Sequence, residues 1–339
     1  MVRIKDIAEK AGVSTTTVSN VIHNNTKKVS PENVKKITHL INEMGYNLQQ
    51  ENRILHKDKS KLIAVIANSH KTYEQSILAD PFYGEVVGHI ESHLRNHGHY
   101  ILFYSSPDPD EIFEMIKKWD VDGIITITFS YSNCEKLSHL VNKPIVSIDA
   151  HNQPPHNSPI LNIGIDNVGG GALMVNHLLS LGYEDILVAA YKDYGNDHMR
   201  WQGAKKAFEN SCEPQKHKIQ LDIFGSDFES RQHYFEELAQ HLPFKRKTAI
   251  FFLSDFFALE AQSFLLSHNI SIPQQVGIAG FDGIIYSGLW ASPKLTTIKQ
   301  DVRQKAILAV DNLIKILNNE NPSTESIILP LSLIPRDSV

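Results

Sequence analysis

The sequence contains few cysteines: Cys134 and Cys212 are the only two among 339 residues. Two thiols are too few for a disulfide framework, so we expect a protein of a reducing compartment, the cytoplasm. No apolar run approaches the ~20 residues that a membrane-spanning helix needs. The chain opens on a charged helical segment without the apolar core of a secretory signal. These absences exclude disulfide-rich secreted proteins and helical membrane proteins, and we expect no membrane partner.

The sequence also lacks the residue spacings of common catalytic and metal sites. The seventeen histidines are scattered, and the nearest group, His93, His97 and His99, fits a solvated helix end and turn. We therefore expect no metal site. No serine stands in a G-x-S-x-G elbow, and the glycine run at 169–171 lacks the lysine and the spacing of a phosphate-binding loop. We expect neither enzymatic activity nor a cofactor.

Charge is distributed unevenly along the chain. Residues 1–61 carry 11 Lys and Arg against 6 Asp and Glu, a net charge of +5. The remaining 278 residues carry 22 against 32, a net charge of −10. A basic head on an acidic body is typical of a protein in which only the head meets phosphate groups.

The head has the pattern of a helix-turn-helix domain. Apolar residues recur at helical spacing over Ile4–Ala11, a glycine breaks the pattern, and Ser14 can cap a second helix over Thr15–Ile22. A third amphipathic helix is predicted to begin at Pro31, with Ser30 as its N-cap. Three short helices around one small apolar core suit the class whose second helix enters the major groove of DNA.

The outward face of the second helix carries short polar side chains that can approach base edges. They are Thr15, Thr16, Ser19 and Asn20. The alternative is a plain helical bundle, which explains neither this polar face nor the positive charge of the head. We expect a DNA-binding domain over residues 1–46, a hinge over 47–61 and a separate core over 62–339.

From residue 62 onward, short β-rich runs alternate with amphipathic helical segments. The alternation predicts an α/β core of parallel sheets wound on both faces, and its length favours two such subdomains. Ligands of such sheets bind beyond the carboxyl ends of the strands. The predicted strands are Leu62–Ala67, Tyr100–Tyr104, Gly123–Thr128, Pro144–Asp149, Leu161–Ile165, Ile186–Ala190, Ile219–Phe224, Ala249–Leu253 and Val276–Gly280. Polar residues follow the strand ends at Asp149, the loop Tyr191–Arg200, Asp227-Phe228, Ser254-Asp255 and Asp282.

These motifs resemble the lactose-repressor/galactose-repressor family of transcription regulators over essentially the whole chain. In the head the resemblance rests on residues 4–8, 12–14, 17–19, 29–30, 45–46 and 53–55. In the body it rests on residues 80–83, 121–125, 166–167 with 170–171, 177–178 with 182, 200 with 203, 254–255, 276 with 280–282, 295–298 and 336–338.

The resemblance implies a homodimeric repressor bound to double-stranded operator DNA. Each protomer would place Thr15–Ile22 in a major-groove half-site, while residues 52–55 coil into a hinge helix. The implied hinge contacts are Arg53 and Leu55, with Leu55 as an apolar wedge in a minor-groove step. The alternative is that Leu55 is a linker residue packed on the core. Because residues 336–339 are not followed by a heptad tail, we expect a dimer and not a tetramer.

The resemblance also implies a small-molecule effector site between the two subdomains. Two carboxylates and a guanidinium can bond vicinal hydroxyls while aromatic faces cover the apolar face of a sugar. The alternative is an Arg–Asp salt bridge among core aromatics. The positions that match the effector contacts of the family are Phe82, Tyr83, Asp149, Arg200, Phe228 and Asp282.

Two functional alternatives remain at this point. A purine stacked on Phe228 is the alternative to a sugar as effector. A sugar-binding import protein would share the periplasmic-binding-protein-like core, but it would need an export signal and no DNA head. Within the family pattern, Asn20 replaces a frequent arginine or histidine, so we expect an altered operator half-site.

Overall fold

The computed structural model describes residues 4–22, 25–44, 60–68, 76–152, 160–211, 214–216, 218–225, 227–242, 244–323 and 325–339. The chain divides into two compact units, Met1–Ser60 and Lys61–Val339. Among the helices in the described ranges, none is long and apolar enough to cross a membrane.

The first unit is the three-helix head that the sequence predicts. Its helices are α1 (Ile4–Ala11), α2 (Thr15–Ile22) and α3 (Pro31–Met44), with a 3-10 turn at Thr26–Lys28. The backbone N–H of Thr17 donates to Ser14 Oγ at 3.1 Å, and that of Asn33 donates to Ser30 Oγ at 3.3 Å, so both predicted caps form. The buried core consists of Ile7, Ala8, Ala11, Val18, Val21, Ile37 and Leu40.

The second unit contains two six-stranded sheets. The first sheet is parallel throughout and has the order β11-β5-β4-β3-β1-β2. Its strands are β1 (Leu62–Asn68), β2 (Tyr100–Ser106), β3 (Gly123–Ile127), β4 (Ile145–Ile148), β5 (Leu161–Ile165) and β11 (Ile327–Leu329). Its central strands are buried on both faces. In β1, Ile63, Val65 and Ala67 belong to one core cluster, and Ala64 and Ile66 belong to the cluster on the other face.

The second sheet has the order β12-β10-β9-β8-β6-β7, with only β12 antiparallel to its neighbour. Its strands are β6 (Asp185–Ala190), β7 (Lys218–Ile223), β8 (Thr248–Phe252), β9 (Gly277–Asp282), β10 (Thr296–Lys299) and β12 (Ser332–Ile334). The helices of this unit are α4 (Pro81–Asn96), α5 (Pro109–Lys117), α6 (Tyr131–Val141), α7 (Asn167–Ser180), α8 (Gly195–Glu209), α9 (Phe228–Gln240), α10 (Asp255–Ser267), α11 (Ile285–Leu289) and α12 (Val302–Leu317). Short 3-10 turns occur at Ile77–Ala79 and Pro214–Lys216.

Within the described residues, the chain passes between the two sheets three times. It crosses after β5 into β6, and it returns after β10 into α12, whose apolar face packs in the core of the first sheet. It crosses again between β11 and β12. The carboxyl ends of strands from both sheets consequently lie near the crossings, where ligands bind in this architecture.

The predicted fold class is confirmed: a helical head precedes two α/β subdomains. All nine predicted strands form, each within two residues of its predicted ends. The sequence analysis did not predict β10, β11 and β12, which have three or four residues each. The predicted loop Tyr191–Arg200 was wrong in its second half, since α8 begins at Gly195. The N-cap Tyr194 makes no side-chain cap bond, so the sequence carries no polar signal for this helix start.

Candidate functional site

Helix α2 presents outwards the face that the sequence predicts to read DNA. Val18 and Val21 are buried among the other helices of the head, which turns the opposite face of α2 to solvent. The side chains on that face are Thr15 and Thr16, which are exposed, and Ser19 and Asn20, which are half-buried. Short polar groups on an accessible helix face meet the steric requirement for base contacts, and their role in recognition stays a prediction.

The two predicted hinge contacts, Arg53 and Leu55, lie outside the described residues, as does the hinge up to residue 59. The wedge role of Leu55 therefore also stays a prediction.

Five of the six predicted effector residues lie together in one cleft between the two sheets. Asp149 directly follows β4 of the first sheet, and Asp282 ends β9 of the second. Helix α4 contributes Phe82 and Tyr83 from its first turn, and α8 contributes Arg200. Residues distant in sequence thus meet because both sheets point the carboxyl ends of their strands at this cleft.

Three cleft residues have an unusual backbone. Thr128, Asp149 and Asp282 have positive φ angles of 57°, 54° and 121°, although none is glycine. Thr128 and Asp149 directly follow strands β3 and β4, and Asp282 is the last residue of β9. Such conformations cost of the order of 1–3 kcal/mol each and cluster at ligand sites, where they aim side chains. Their coincidence here marks the cleft as a site shaped for binding.

Arg200 is held rigidly at the floor of the cleft. Its Nε donates to Asn167 Oδ1 at 2.9 Å, and its Nη1 donates to the Leu253 carbonyl at 2.6 Å. The guanidinium carbon also lies 3.7 Å from the centroid of the Phe281 ring. A guanidinium fixed by two hydrogen bonds and an aromatic face is preorganised for a ligand.

The position of Arg200 depends on close packing of α7 against α8. A Cβ on Gly171 would lie 1.9 Å from the Arg200 carbonyl oxygen, and a Cβ on Gly203 would lie 1.9 Å from that of Val168. Only glycine allows backbones to approach this closely. The two glycines therefore set the distance between the helices, and with it the place of the guanidinium.

Asp282 is a buried carboxyl beside Arg200. Its Oδ1 accepts a hydrogen bond from Gln300 Nε2 at 2.7 Å and lies 3.6 Å from Arg200 Nη1. Burial raises the pKa of Asp282 to about 8, although the charge of Arg200 opposes that shift. In its protonated form this carboxyl can donate a hydrogen bond as well as accept one.

Lys305 lies behind the cleft, against Asp149, and sequence reasoning missed it. Its side chain is fully buried, and its Nζ donates to both carboxylate oxygens of Asp149, at 2.7 and 2.5 Å. It donates as well to Gln300 Oε1. Burial lowers the pKa of Lys305, and the charge of Asp149 opposes that shift. A lysine in the apolar stripe formed by Val302 and Ala306 was the signal that could have revealed it.

The start of α8 contributes two more residues that the sequence analysis did not assign to the site. Asn196 donates from Nδ2 to the Asp149 carbonyl at 3.2 Å and accepts from Asn167 Nδ2 at 3.3 Å. Asp197 is buried, with Oδ1 3.9 Å from Arg200 Nη1. Burial raises the pKa of Asp197 and lowers that of Lys192, each opposed by the charge of the other. The predicted loop at this position hid these residues.

Aromatic rings line both walls of the cleft. Phe82 and Tyr83 pack edge to face at 5.3 Å, and Tyr83 Oη lies 2.9 Å from Thr128 Oγ1. On the other wall Tyr191 and Phe257 pack at 5.3 Å. The cleft thus combines ring faces with charged and hydroxyl groups, as small-molecule sites do.

The structure does not bring Phe228 into this cleft. Phe228 is the first residue of α9, whose start is capped by Asp227 Oδ1 accepting from the Ser230 N–H at 2.8 Å. Phe228 is 53% exposed at the start of this helix. The centroid of its ring lies 5.9 Å from the Arg231 guanidinium carbon. It lines a separate apolar groove with Phe256, Leu259, Leu266, Tyr286 and Trp290. Tyr191 and Phe257 supply the ring faces that the sequence assigned to Phe228.

The cleft is narrow in this conformation. Its volume is about 60 Å³, far below the ~300–1,000 Å³ of typical ligand pockets. In this conformation the cleft is therefore too small for a ligand of the size of a sugar.

The fold and the cleft define a class of protein: a DNA-binding head joined to a two-lobed ligand-binding core. Residues 3–49 match the family described as "Bacterial regulatory proteins, lacI family", and residues 175–339 match the "Periplasmic binding protein-like domain". Over 322 residues the chain is 30% identical to the HTH-type transcriptional repressor PurR of Actinobacillus pleuropneumoniae serotype 3 (strain JL03), covering 93% of this chain and 91% of that one. It is 29% identical over 343 residues to the HTH-type transcriptional regulator DegA of Bacillus subtilis (strain 168), covering 99% and 97%.

Solved structures share the fold of the whole chain. The lac repressor bound to ONPG in its repressed state superposes with a TM-score of 0.73 at 22% identity, covering 100% of this chain and 99% of that one. A complex of the transcriptional regulator CelR with cellobiose superposes with a TM-score of 0.68 at 20% identity, covering 100% of both chains. The chain belongs to the lacI family of bacterial regulatory proteins. It is a DNA-binding transcriptional regulator, and its relatives are regulators and not enzymes.

Proposed function

We propose that the chain is an operator-binding repressor whose affinity for DNA is set by a sugar bound in the cleft between its two sheets. The observation that carries the proposal is the meeting of Asp149, Asp282 and Arg200 between two aromatic walls. Carboxyl groups and a guanidinium match the hydroxyls of a sugar, and ring faces cover its apolar surface. A regulator of similar fold binds the disaccharide cellobiose.

The narrow cleft supports a switching role for the effector. A sugar cannot enter a space of about 60 Å³ without moving the two sheets apart. A ligand shifts a conformational equilibrium only by its differential affinity for the two states. We infer that effector binding favours a wider cleft, and that this change in the core alters how firmly the heads hold the operator.

For DNA binding we propose a homodimer that acts in the cytoplasm. Each α2 would enter one major-groove half-site, with Thr15, Thr16, Ser19 and Asn20 at the base edges. Arg53 and Leu55 of the hinge would contact the operator between the half-sites.

An exposed apolar surface supports the dimer. Trp290 is 75% exposed and Leu289 is 67% exposed beside the groove that holds Phe228. Contiguous apolar groups of this kind are uncommon on monomers and mark interaction sites. A second copy of the chain is the partner we propose, because the lac repressor, of similar fold, is a dimer on its operator. In sedimentation, wild type should be dimeric at micromolar concentration and Trp290→Glu monomeric, whereas a monomeric wild type would contradict the dimer.

The effector is tested by calorimetry with a panel of mono- and disaccharides and a panel of purine bases and nucleosides. We expect one sugar to bind and to change operator affinity in a gel-shift assay. Arg200→Ala and Asp282→Ala should abolish the response to that sugar, while operator affinity in effector-free buffer stays near that of wild type. Equal loss of operator binding and response in a folded variant would contradict the assignment of the cleft.

A purine is the second candidate effector. Tyr191 and Phe257 offer ring faces on which a base can stack, and several relatives at 27–30% identity are named PurR. Binding of a purine but no sugar would transfer the effector role to that class while leaving the cleft as its site. Tyr191→Ala should then weaken binding more than Asp149→Asn.

A further inference from the structure

Two helices bring three metal-ligating side chains together outside the effector cleft. His93 lies in the last turn of α4, His97 is the residue that ends this helix, and Asp311 lies on α12. The Nε2 atoms of His93 and His97 lie 2.7 and 3.7 Å from Asp311 Oδ1. The three ligand atoms all lie within 4.8 Å of one another.

We propose that His93, His97 and Asp311 bind a first-row divalent metal ion, with Zn²⁺ as the best match. Zn²⁺ takes imidazole nitrogen at about 2.0–2.1 Å and carboxylate oxygen at about 2.0–2.2 Å, which sets neighbouring ligand atoms about 3.4 Å apart in a tetrahedron. The distance from His97 to Asp311 is already close to that value. The hydrogen bond between His93 and Asp311 must lengthen by about 0.7 Å, and the two imidazole nitrogens, which lie within 4.8 Å of each other, must reach a similar spacing of about 3.4 Å; rotation of the side chains allows both changes.

The composition of the site selects the class of ion. Two imidazole nitrogens and one carboxylate suit Zn²⁺, Co²⁺ and Ni²⁺, whereas Mg²⁺ and Ca²⁺ require oxygen ligands. The side chains of His93, His97 and Asp311 are 25%, 38% and 38% exposed. Water can therefore reach the ion and complete its coordination.

The two helices hold the ligands in a fixed arrangement. Ile90 and Leu94 of α4 are buried in the same core cluster as Val310 and Leu313 of α12, on either side of the ligands in sequence. Paired histidines one turn apart project from the same side of the helix. The site is therefore preorganised by the packed helices and needs no folding step to form.

This proposal revises the expectation drawn from sequence. His93, His97 and His99 suggested only a solvated helix end, and the Nδ1 of His99 indeed lies 3.0 Å from the His97 carbonyl oxygen. The third ligand comes instead from Asp311, which is 218 residues from His93. No local spacing could reveal it.

A metal at this position would connect α4 to α12. At their opposite ends the same two helices approach the effector cleft: Phe82 and Tyr83 of α4 line it, and Lys305 of α12 binds Asp149, which lines it. A bound metal ion should therefore stabilise the packing of both helices against the first sheet.

The test uses the full chain after treatment with a chelator. Titration with Co²⁺ should produce the visible absorption of a tetrahedral cobalt site at one equivalent per chain, and Zn²⁺ should displace it. His97→Gln and Asp311→Asn should each weaken Zn²⁺ binding in calorimetry by at least about tenfold. At Zn²⁺ about 100-fold above Kd, the thermal midpoint of wild type should rise by about 4 °C.

Neighbouring histidines serve as matched controls. His89→Gln, one turn earlier on α4, and His99→Gln, just after it, should leave Zn²⁺ affinity within about twofold of wild type. Because His97 is partly exposed and makes no hydrogen bond to Asp311 at 3.7 Å, His97→Gln should keep the metal-free unfolding midpoint. If the metal does not bind at one equivalent per chain, the proposal is overturned. Equal Zn²⁺ affinity of wild type and His97→Gln would also overturn it and would assign the bound metal to other histidines.

Discussion

Lys305 and Asp149 form a buried ion pair that joins α12 to the end of β4, with the lysine Nζ 2.5 and 2.7 Å from the two carboxylate oxygens. Gln300 links this pair to Asp282. Its Oε1 accepts a hydrogen bond from Lys305 Nζ, and its Nε2 donates to Asp282 Oδ1 at 2.7 Å. An unbroken polar chain therefore connects the cleft carboxyl of the first sheet with that of the second. An effector that displaces one carboxyl must disturb the other.

We predict that Lys305→Met lowers the free energy of unfolding by about 3–5 kcal/mol, because it leaves the Asp149 carboxylate buried without its counter-ion. Adding Asp149→Asn should restore most of that loss, since the double variant buries no unpaired charge. Urea unfolding of the four proteins in this cycle measures the coupling.

The matched control is the exposed pair of Lys205 and Glu209, 3.8 Å apart on α8 and each more than half exposed. Exposed pairs contribute only about 0–1 kcal/mol. Equal coupling energies in the two cycles would contradict a special role for the buried pair.

A second prediction concerns pH. The pKa of Asp282 is about 8 in the folded chain, compared with 3.8 as its ordinary value, so the folded state retains a proton that the unfolded state releases. Its stabilising contribution is present in acid and is lost as pH rises through 8. Between pH 6.5 and pH 9 the free energy of unfolding of wild type should fall by about 2 kcal/mol more than that of Asp282→Asn.

Urea unfolding at the two pH values gives this difference. The window lies above the pKa of Asp255, another buried carboxyl, which burial raises to about 6. If Asp282→Asn shows the same pH dependence as wild type, Asp282 is ionised in the folded chain near neutral pH.

A third prediction concerns the contact between α7 and α8. Gly171→Ala would place a methyl group 1.9 Å from the Arg200 carbonyl oxygen, so the helices must separate. We expect a loss of about 1–3 kcal/mol in stability, and weaker effector binding because the guanidinium moves. Calorimetry with the effector and urea unfolding measure the two effects.

Gly88→Ala is the control for that substitution. Gly88 is an exposed residue of α4 with no atom within 4 Å of an added Cβ. Alanine there should stabilise the chain by about 0.5–1 kcal/mol through helix propensity. If Gly171→Ala leaves the free energy of unfolding unchanged, the helices can separate at little cost.

A fourth prediction concerns the operator. The amide of Asn20 can pair with adenine N7 and N6, so the half-site should favour A·T at the base pair that Asn20 faces. Asn20→Arg should shift the preference there toward G·C by about 1–3 kcal/mol, with other positions little changed. Selection from a randomised palindromic pool with both proteins measures the shift.

The opposing outcome is equally specific. If Asn20 contacts only phosphate, the arginine variant should bind all sequences more tightly and show a steeper dependence on salt. An unchanged consensus at every position would then remove Asn20 from base readout.

The elements that the sequence predicted are those in which a local pattern repeats. The three helices of the head follow from apolar spacing and from the caps Ser14 and Ser30, which form as expected. Most of the nine predicted strands are apolar runs, and the central ones are buried on both faces, a signal contained in each segment alone. The resemblance to known regulators then placed Arg200 and Asp282 in one site without any knowledge of distance.

The residues that the sequence missed act across long separations. Lys305 meets Asp149 over 156 positions, and nothing in either local sequence announces the other. Asn196 and Asp197 were hidden because the start of α8 lacks a polar cap signal. Phe228 was assigned to the effector site by the resemblance to the family, whereas in the structure the helix cap at Asp227 leaves its ring on an outer surface.

The sequence by itself thus determined the helical head, the alternation of strands and helices, and the family, because periodicity, capping and ordered motifs are properties of contiguous residues. Only the tertiary structure decided which groups share the cleft, that a buried lysine neutralises Asp149, and that His93, His97 and Asp311 meet. These relationships arise where the chain crosses between sheets and where α4 packs on α12. Burial and charge there depend on partners that lie far away along the chain.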